Sequence, residues 1–161
     1  MKVSIFIGSK SDIPFIKDAI EIFKQFKINY NCYIISAHRL PNILLNTIKK
    51  IEYENIEIII AGAGLSAHLP GIISSQTIIP VIGIPICNTN NSTLGGIDAL
   101  FSITQMPKGI PVATVGINNS YNAAIIAIHF LSLKYDNLKK LLVKFREKTK
   151  KKLENEIEKY L

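Results

Sequence analysis

Glu57-Ile58-Ile59-Ile60-Ala61 runs into Gly62-Ala63-Gly64, and the apolar part of this stretch shows no alternation of polar and apolar residues. Three consecutive isoleucines describe a strand buried on both faces, which is the habit of a parallel sheet covered by helices. Four further short runs have the same β-branched character, at residues 3–7, 30–35, 80–84 and 111–115, and each is followed by Gly, Ser, Asn or Pro. Between them, residues 13–26 place Ile16, Ile20, Phe23 and Phe26 at helical spacing. Residues 41–51 do the same with Leu44, Leu45, Ile48 and Ile51, and residues 123–133 are apolar on most faces. Pro14 and Pro41 stand where the first turn of a helix tolerates a missing N–H. The alternation predicts an α/β domain with a parallel sheet and helices on both faces.

The length of 161 residues, with 48% hydrophobic and 19% charged content, is that of one globular domain. It is expected to span residues 1–161, with an α/β body over 1–133. From about Tyr135 follows a charged amphipathic helix with Leu138, Leu141, Leu142 and Phe145 on one stripe, packing on the body or on a neighbouring subunit. Cys32 and Cys87 match neither a CxxC nor a zinc spacing, so a reduced, cytoplasmic protein is expected. The apolar start that ends at Gly8 is too short for a signal peptide or a membrane span. The net charge of +7 is uneven: residues 134–161 hold ten Lys/Arg against five Asp/Glu, residues 1–133 nine against seven. Lys148, Lys150, Lys151 and Lys152 therefore read as the solvated face of a helix. No aromatic platform is interleaved with them, so no nucleic-acid partner is expected, nor a membrane.

In open parallel sheets, ligands bind beyond the carboxyl ends of the strands. There the chain places Gly8-Ser9-Lys10-Ser11-Asp12, Ser36-Ala37-His38-Arg39, and Gly62-Ala63-Gly64-Leu65-Ser66-Ala67-His68-Leu69-Pro70-Gly71. The first loop offers hydroxyls, backbone N–H groups and a helix start, an arrangement suited to an anion. Asp12 is either the N-cap of that helix or a ligand for ribose hydroxyls. No Gly-Lys-Ser/Thr is present, which excludes a P-loop. Gly62-x-Gly64-x-x-Ala67 is a loose dinucleotide fingerprint, but no acidic residue occurs between Glu57 and Asp98 to hold a ribose. The glycines instead allow backbone to approach a ligand closely. Histidine and cysteine spacing supports no metal site, and no Gly-x-Ser-x-Gly elbow is present.

His129, inside an apolar helical run, reads as a structural imidazole. His38 and His68 lie at strand ends, where an imidazole with an unperturbed pKa of about 6.5 can both give and take a proton near neutrality. Arg39 is one of two arginines, with Arg146, in a chain that otherwise uses lysine. Its planar fork grips phosphate or carboxylate where lysine offers a point charge. His38-Arg39 thus pairs a proton-transfer group with an anion clamp.

These loops, with Gln105-Met106-Pro107-Lys108-Gly109-Ile110-Pro111-Val112, occur in the order seen in the PurE family, the N5-carboxyaminoimidazole ribonucleotide mutases of purine biosynthesis, which the chain resembles over most of its length. The resemblance implies a three-layer flavodoxin-like fold, a homo-octamer, and a reaction that moves a carboxyl group from the exocyclic nitrogen to ring carbon 4 without metal, ATP or organic cofactor. It implies that His38 is catalytic and that Ser9, Ser11, Asp12, Ser36 and Arg39 bind the ribonucleotide. Gly62, Ala63, Gly64, His68 and Leu69 would line the carboxylate end, with an apolar wall near Leu69 and Ile72. Metabolic coupling to an ATP-dependent carboxylating enzyme would follow.

A related branch carboxylates aminoimidazole ribonucleotide directly, with lysine after the loop histidine and without His-Leu-Pro-Gly; Arg39 and residues 68–71 favour the mutase. A non-catalytic nucleotide-binding module on the same fold is the alternative from another class. Departures from the usual family pattern are Ile13, Leu40, Leu65-Ser66 and residues 88–91. Leu65 and Ser66 bear on the shape of the carbon dioxide pocket.

Overall fold

The computed structural model describes residues 1–88 and 94–158, so most of the departing stretch at residues 88–91 lies outside the described residues. Five strands, β1 (Lys2–Ile7), β2 (Asn29–Ile34), β3 (Ile58–Gly64), β4 (Val81–Ile86) and β5 (Ala113–Thr114), form one sheet in the order β2-β1-β3-β4-β5. Every neighbouring pair is parallel. This is the flavodoxin-like strand order, and its switch point lies between β1 and β3.

Pleating explains the uninterrupted isoleucines. On one face Phe6, Ile59, Ala61 and Val81 join a cluster with Leu44, Ile48, Ile51, Ile73 and Ile103 from the helices. The opposite face carries Ile5, Ile7, Ile60, Ile82 and Ile84, which are also buried. Each such side chain contributes about 1.5–3 kcal/mol through removal from water. Ser4 is the polar exception in β1: it is fully buried, and its hydroxyl has no hydrogen-bond partner.

Within residues 1–127, which make one compact unit, the helices are α1 (Lys17–Gln25), α2 (Pro41–Tyr53), α3 (Leu69–Ser74), α4 (Ile97–Thr104) and the start of α5 (Ser120–Ser132). Pro41 opens α2 as expected. Pro14 does not open α1: it lies inside a separate 3-10 helix (Lys10–Ile16) capped by Ser9, which precedes the α-helix. Two short helices, α3 and α4, fall where no helical periodicity was legible. With six and eight residues, they are too short to display two full repeats.

The described residues from 128 to 158 form a second compact unit holding the end of α5 and α6 (Asp136–Glu158). On the expected stripe Leu138 and Leu142 are buried, whereas Leu141 is 41% exposed, so the stripe is narrower than the sequence implied. Lys148, Lys150, Lys151 and Lys152 are exposed. Lys150 pairs with Glu154 at 3.6 Å and Lys152 with Glu156 at 3.9 Å, the solvated helix face anticipated. His129 Nε2 lies 3.5 Å from Arg146 Nη2, which donates to it. Among the described residues no helix is long and apolar enough to cross a membrane.

Candidate active site

The carboxyl ends of β1, β2, β3 and β4 open into a cleft of about 530 Å³. Its first wall is the loop after β1. Ser9 ends the extended backbone and caps the 3-10 helix: the Ser11 N–H donates to Ser9 Oγ at 3.3 Å, and the Asp12 N–H to the Ser9 carbonyl at 3.1 Å. Ser11 Oγ stands 3.0 Å from Ser9 Oγ and 3.4 Å from Asp12 Oδ1. Ser9, rather than Asp12, is therefore the cap, which leaves the Asp12 carboxylate at the floor of the cleft with 9% exposure. Burial raises its carboxyl pKa above the ordinary 3.8, only partly offset by hydrogen bonds from Ser9 and Ser11.

After β2 the chain turns sharply, with the Leu40 N–H donating to the Ser36 carbonyl at 2.9 Å. The turn brings Arg39 back over Ser36, whose Oγ accepts from Arg39 Nε at 3.3 Å and lies 3.4 Å from the Arg39 backbone N. Anchored at Nε, the guanidinium presents its remaining donors, on the Nη atoms, as a flat fork beside the cleft.

His38 sits at the crest of this turn, and its Nε2 meets His68 Nδ1 at 2.8 Å, with the two rings edge to face at 84°. His68 reaches that position because the loop after β3 ends there: its backbone N–H donates to the Ser66 carbonyl at 2.7 Å and its carbonyl accepts from Ile72 at the start of α3. In sequence the two imidazoles belong to separate loops 30 residues apart, and only the fold brings them into contact. In such a pair one nitrogen must donate and the other accept, so the contact orders the protons of both rings.

Ala63, Gly64, Leu65, Ser66 and Leu69 complete the β3 side of the cleft. Gly64 is obligatory there, since a Cβ would stand 2.8 Å from the carbonyl oxygen of Ile86 in β4. Gly62, expected in the site, is instead inside β3 with its missing Cβ directed at Ile86 Cδ1 (2.9 Å) and Ile7, so it permits packing and does not line the cleft. Ile72 is also absent from the lining; Leu65, Leu69 and Ile86 supply apolar surface. Leu65 adopts a left-handed conformation at φ 56°, half exposed at the rim. The remaining expected residues, Ser9, Ser11, Asp12, Ser36, His38, Arg39, Ala63, Gly64, His68 and Leu69, all meet in this one cleft. Ile86 and Asn88 were missed. The rule about strand carboxyl ends applies to β4 as well, but β4 runs two residues further than its apolar run at 80–84 indicated. Among the described residues no three His, Cys, Asp or Glu side chains gather to hold a metal ion.

The strand order and helices define a flavodoxin-like α/β protein whose cleft opens at the topological switch point of the sheet. A family model described as AIR carboxylase matches residues 2–152. The chain belongs to this family, the PurE family that its loop motifs resemble. It is 49% identical over 150 residues to the N5-carboxyaminoimidazole ribonucleotide mutase of Pyrococcus abyssi, covering 93% of this chain and 84% of that one. To the mutase of Thermotoga maritima it is 47% identical, covering 94% and 87%. The crystal structure of Treponema denticola PurE superposes with a TM-score of 0.83 at 27% identity, covering 96% of this chain and 94% of that one.

Proposed function

We propose that this cleft is where the chain acts as an N5-carboxyaminoimidazole ribonucleotide mutase of purine biosynthesis, with His38 as the proton-transfer group. The observation that carries the reading is the 2.8 Å contact of His38 with His68 inside a cleft that also holds Ser9, Asp12 and Arg39. Ser9, Ser11 and the Arg39 fork bind the ribonucleotide phosphate, and Asp12 accepts hydrogen bonds from ribose hydroxyls.

The chemistry needs one proton delivered and one removed. As the exocyclic N–C bond breaks and carbon dioxide departs, the nitrogen takes a proton from the His38 imidazolium. Ring carbon 4 then attacks the trapped carbon dioxide, forming the new C–C bond, and its proton returns to His38. With Nε2–H of His38 donated to His68 Nδ1 throughout, the travelling proton is the one on His38 Nδ1. His68 thus keeps the tautomer fixed, so that the bare nitrogen after the first transfer is the nitrogen that accepts in the second. Carbon dioxide is small and freely diffusing, so the apolar rim of Leu65 and Leu69 serves to retain it between the two steps.

The protein works as a cytoplasmic homo-octamer. Exposed apolar residues on α4 (Ile97 and Phe101) and on α6 (Val143, Leu153 and Ile157) are the surfaces that such assembly covers. An ATP-dependent carboxylating enzyme supplies the substrate.

The test follows ultraviolet absorbance of purified protein without metal or ATP, once with N5-carboxyaminoimidazole ribonucleotide and once with aminoimidazole ribonucleotide plus bicarbonate. Efficient reaction in the first case only is expected. Efficient reaction only in the second would assign the direct carboxylase instead, and binding without turnover in either would make the chain a non-catalytic module.

A further inference from the structure

β5 pairs with β4 only at Ile82 with Ala113 and Gly83 with Thr114, and the last main-chain bond of this register runs from the Val115 N–H to the Gly83 carbonyl at 3.2 Å. Beyond it the chain leaves in a turn at residues 116–119, closed by the Asn119 N–H on the Gly116 carbonyl at 3.1 Å. The carboxyl end of β4, which carries Ile86 and Asn88 into the cleft, would be left without a partner on that side.

Asn118 takes over the ladder. Its backbone N–H donates to the Pro85 carbonyl at 2.8 Å. Its side-chain Oδ1 accepts from the Cys87 N–H at 2.8 Å, and its Nδ2 donates to the Cys87 carbonyl at 3.0 Å. A primary amide presents the same donor and acceptor pair as a peptide group, so one side chain replaces the next residue of a parallel strand. The geometry requires a left-handed residue, with Asn118 at φ 57°, a region that asparagine tolerates and β-branched residues do not. Gly96 also packs closely here, since a Cβ would lie 2.8 Å from Cys87 Cβ and 2.9 Å from Ile117 Cγ2. Cys87, one residue before Asn88, is held by the Asn118 amide through both of its main-chain polar groups.

We propose that Asn118, which does not line the cleft, is a positioning residue for the reaction: its amide fixes the end of β4 and so holds Asn88 as a polar wall against the bound ribonucleotide. This rests on the cleft being the substrate site. Loss of the clamp should weaken substrate binding more than it slows the proton transfer at His38.

Steady-state kinetics with N5-carboxyaminoimidazole ribonucleotide, well below the melting temperature of each variant, tests this. Asn118→Gly keeps the left-handed backbone and removes both side-chain bonds; it is expected to raise KM about tenfold while kcat changes by less than about threefold. Asn118→Asp keeps the acceptor for the Cys87 N–H but sets an oxygen against the Cys87 carbonyl, and should fall between glycine and wild type. It also serves if the glycine variant does not fold. In an Asn88→Ala background, Asn118→Gly should add little to KM, because the group it positions is already gone. Unchanged KM in the Asn118 variants, or the same multiplication of KM in both backgrounds, overturns the inference. If His38→Asn turns over normally, the cleft assignment itself fails; if that variant is inactive while the Asn118 variants bind normally, only the positioning role falls.

Discussion

The two sides of the cleft are built on opposite principles. On the β1–β2 side, side chains form the wall: Ser9, Ser11 and Asp12 are linked at 3.0–3.4 Å and Ser36 and Arg39 at 3.3 Å, presenting hydroxyls, a carboxylate and a guanidinium. On the β3–β4 side the wall depends on close backbone approach, Gly64 against the Ile86 carbonyl where a Cβ would not fit, with Leu65, Ser66, His68, Leu69 and Asn88 completing the lining. A polar wall of the first kind can lose one group and keep its shape, whereas a wall made by close backbone approach fails once volume is added. The His38–His68 contact bridges the turn after β2 and the loop after β3, and so joins one kind of wall to the other.

The largest effect should come at that bridge. His38→Asn, probed by ribonucleotide binding and by turnover on the same sample, is expected to retain affinity and lose roughly 10²–10⁴-fold in rate. Wild-type turnover would remove His38 from the mechanism. Next comes the backbone wall. Gly64→Ala forces β3 from β4 or rotates the peptide at Ile86, which should cost about 1–3 kcal/mol in denaturant unfolding along with most of the activity. An alanine variant of wild-type stability and activity would show that the close approach is not needed.

On the polar wall the expected changes are milder and opposed in sign. Asp12→Asn should weaken ribonucleotide binding by about tenfold, yet stabilise the free protein at neutral pH. The folded carboxyl holds its proton more tightly than the unfolded one, so wild-type stability falls as pH rises from 3.8 through the raised folded value. The stability gain of Asp12→Asn over wild type, read by thermal melts, should therefore shrink as pH is lowered towards 3.8. A gain that grows on acidification would contradict the burial argument. Smallest is Ser4→Ala, away from both walls. Deleting a buried, unpartnered hydroxyl should leave activity untouched and stabilise by up to about 1 kcal/mol.

The same contrast separates what could be read in advance from what could not. Three of the four loops that line the cleft were legible, because polar and ionisable residues at the ends of apolar strands stand out against an isoleucine-rich background. Ile86 and Asn88 did not, since nothing local distinguishes the end of β4 from its continuation. Gly62 and Gly64 look alike in sequence, yet one meets a side chain inside the sheet and the other a carbonyl at the cleft. Asp12 could be either cap or ligand until Ser9 was seen to take the capping bonds.

Strand periodicity, the order of strand and helix, and the identity of the ionisable loop residues are properties of short windows, so the one-dimensional string carried the parallel sheet and the chemistry of its loops. Contacts between residues far apart in the chain are not. The pairing of His38 with His68 across 30 residues, and the clamp of Asn118 on Cys87 across 31, exist only once parallel strands set distant loops side by side. Proton order and wall geometry depend on separations of about 3 Å, which packing of the whole sheet determines and no local pattern encodes.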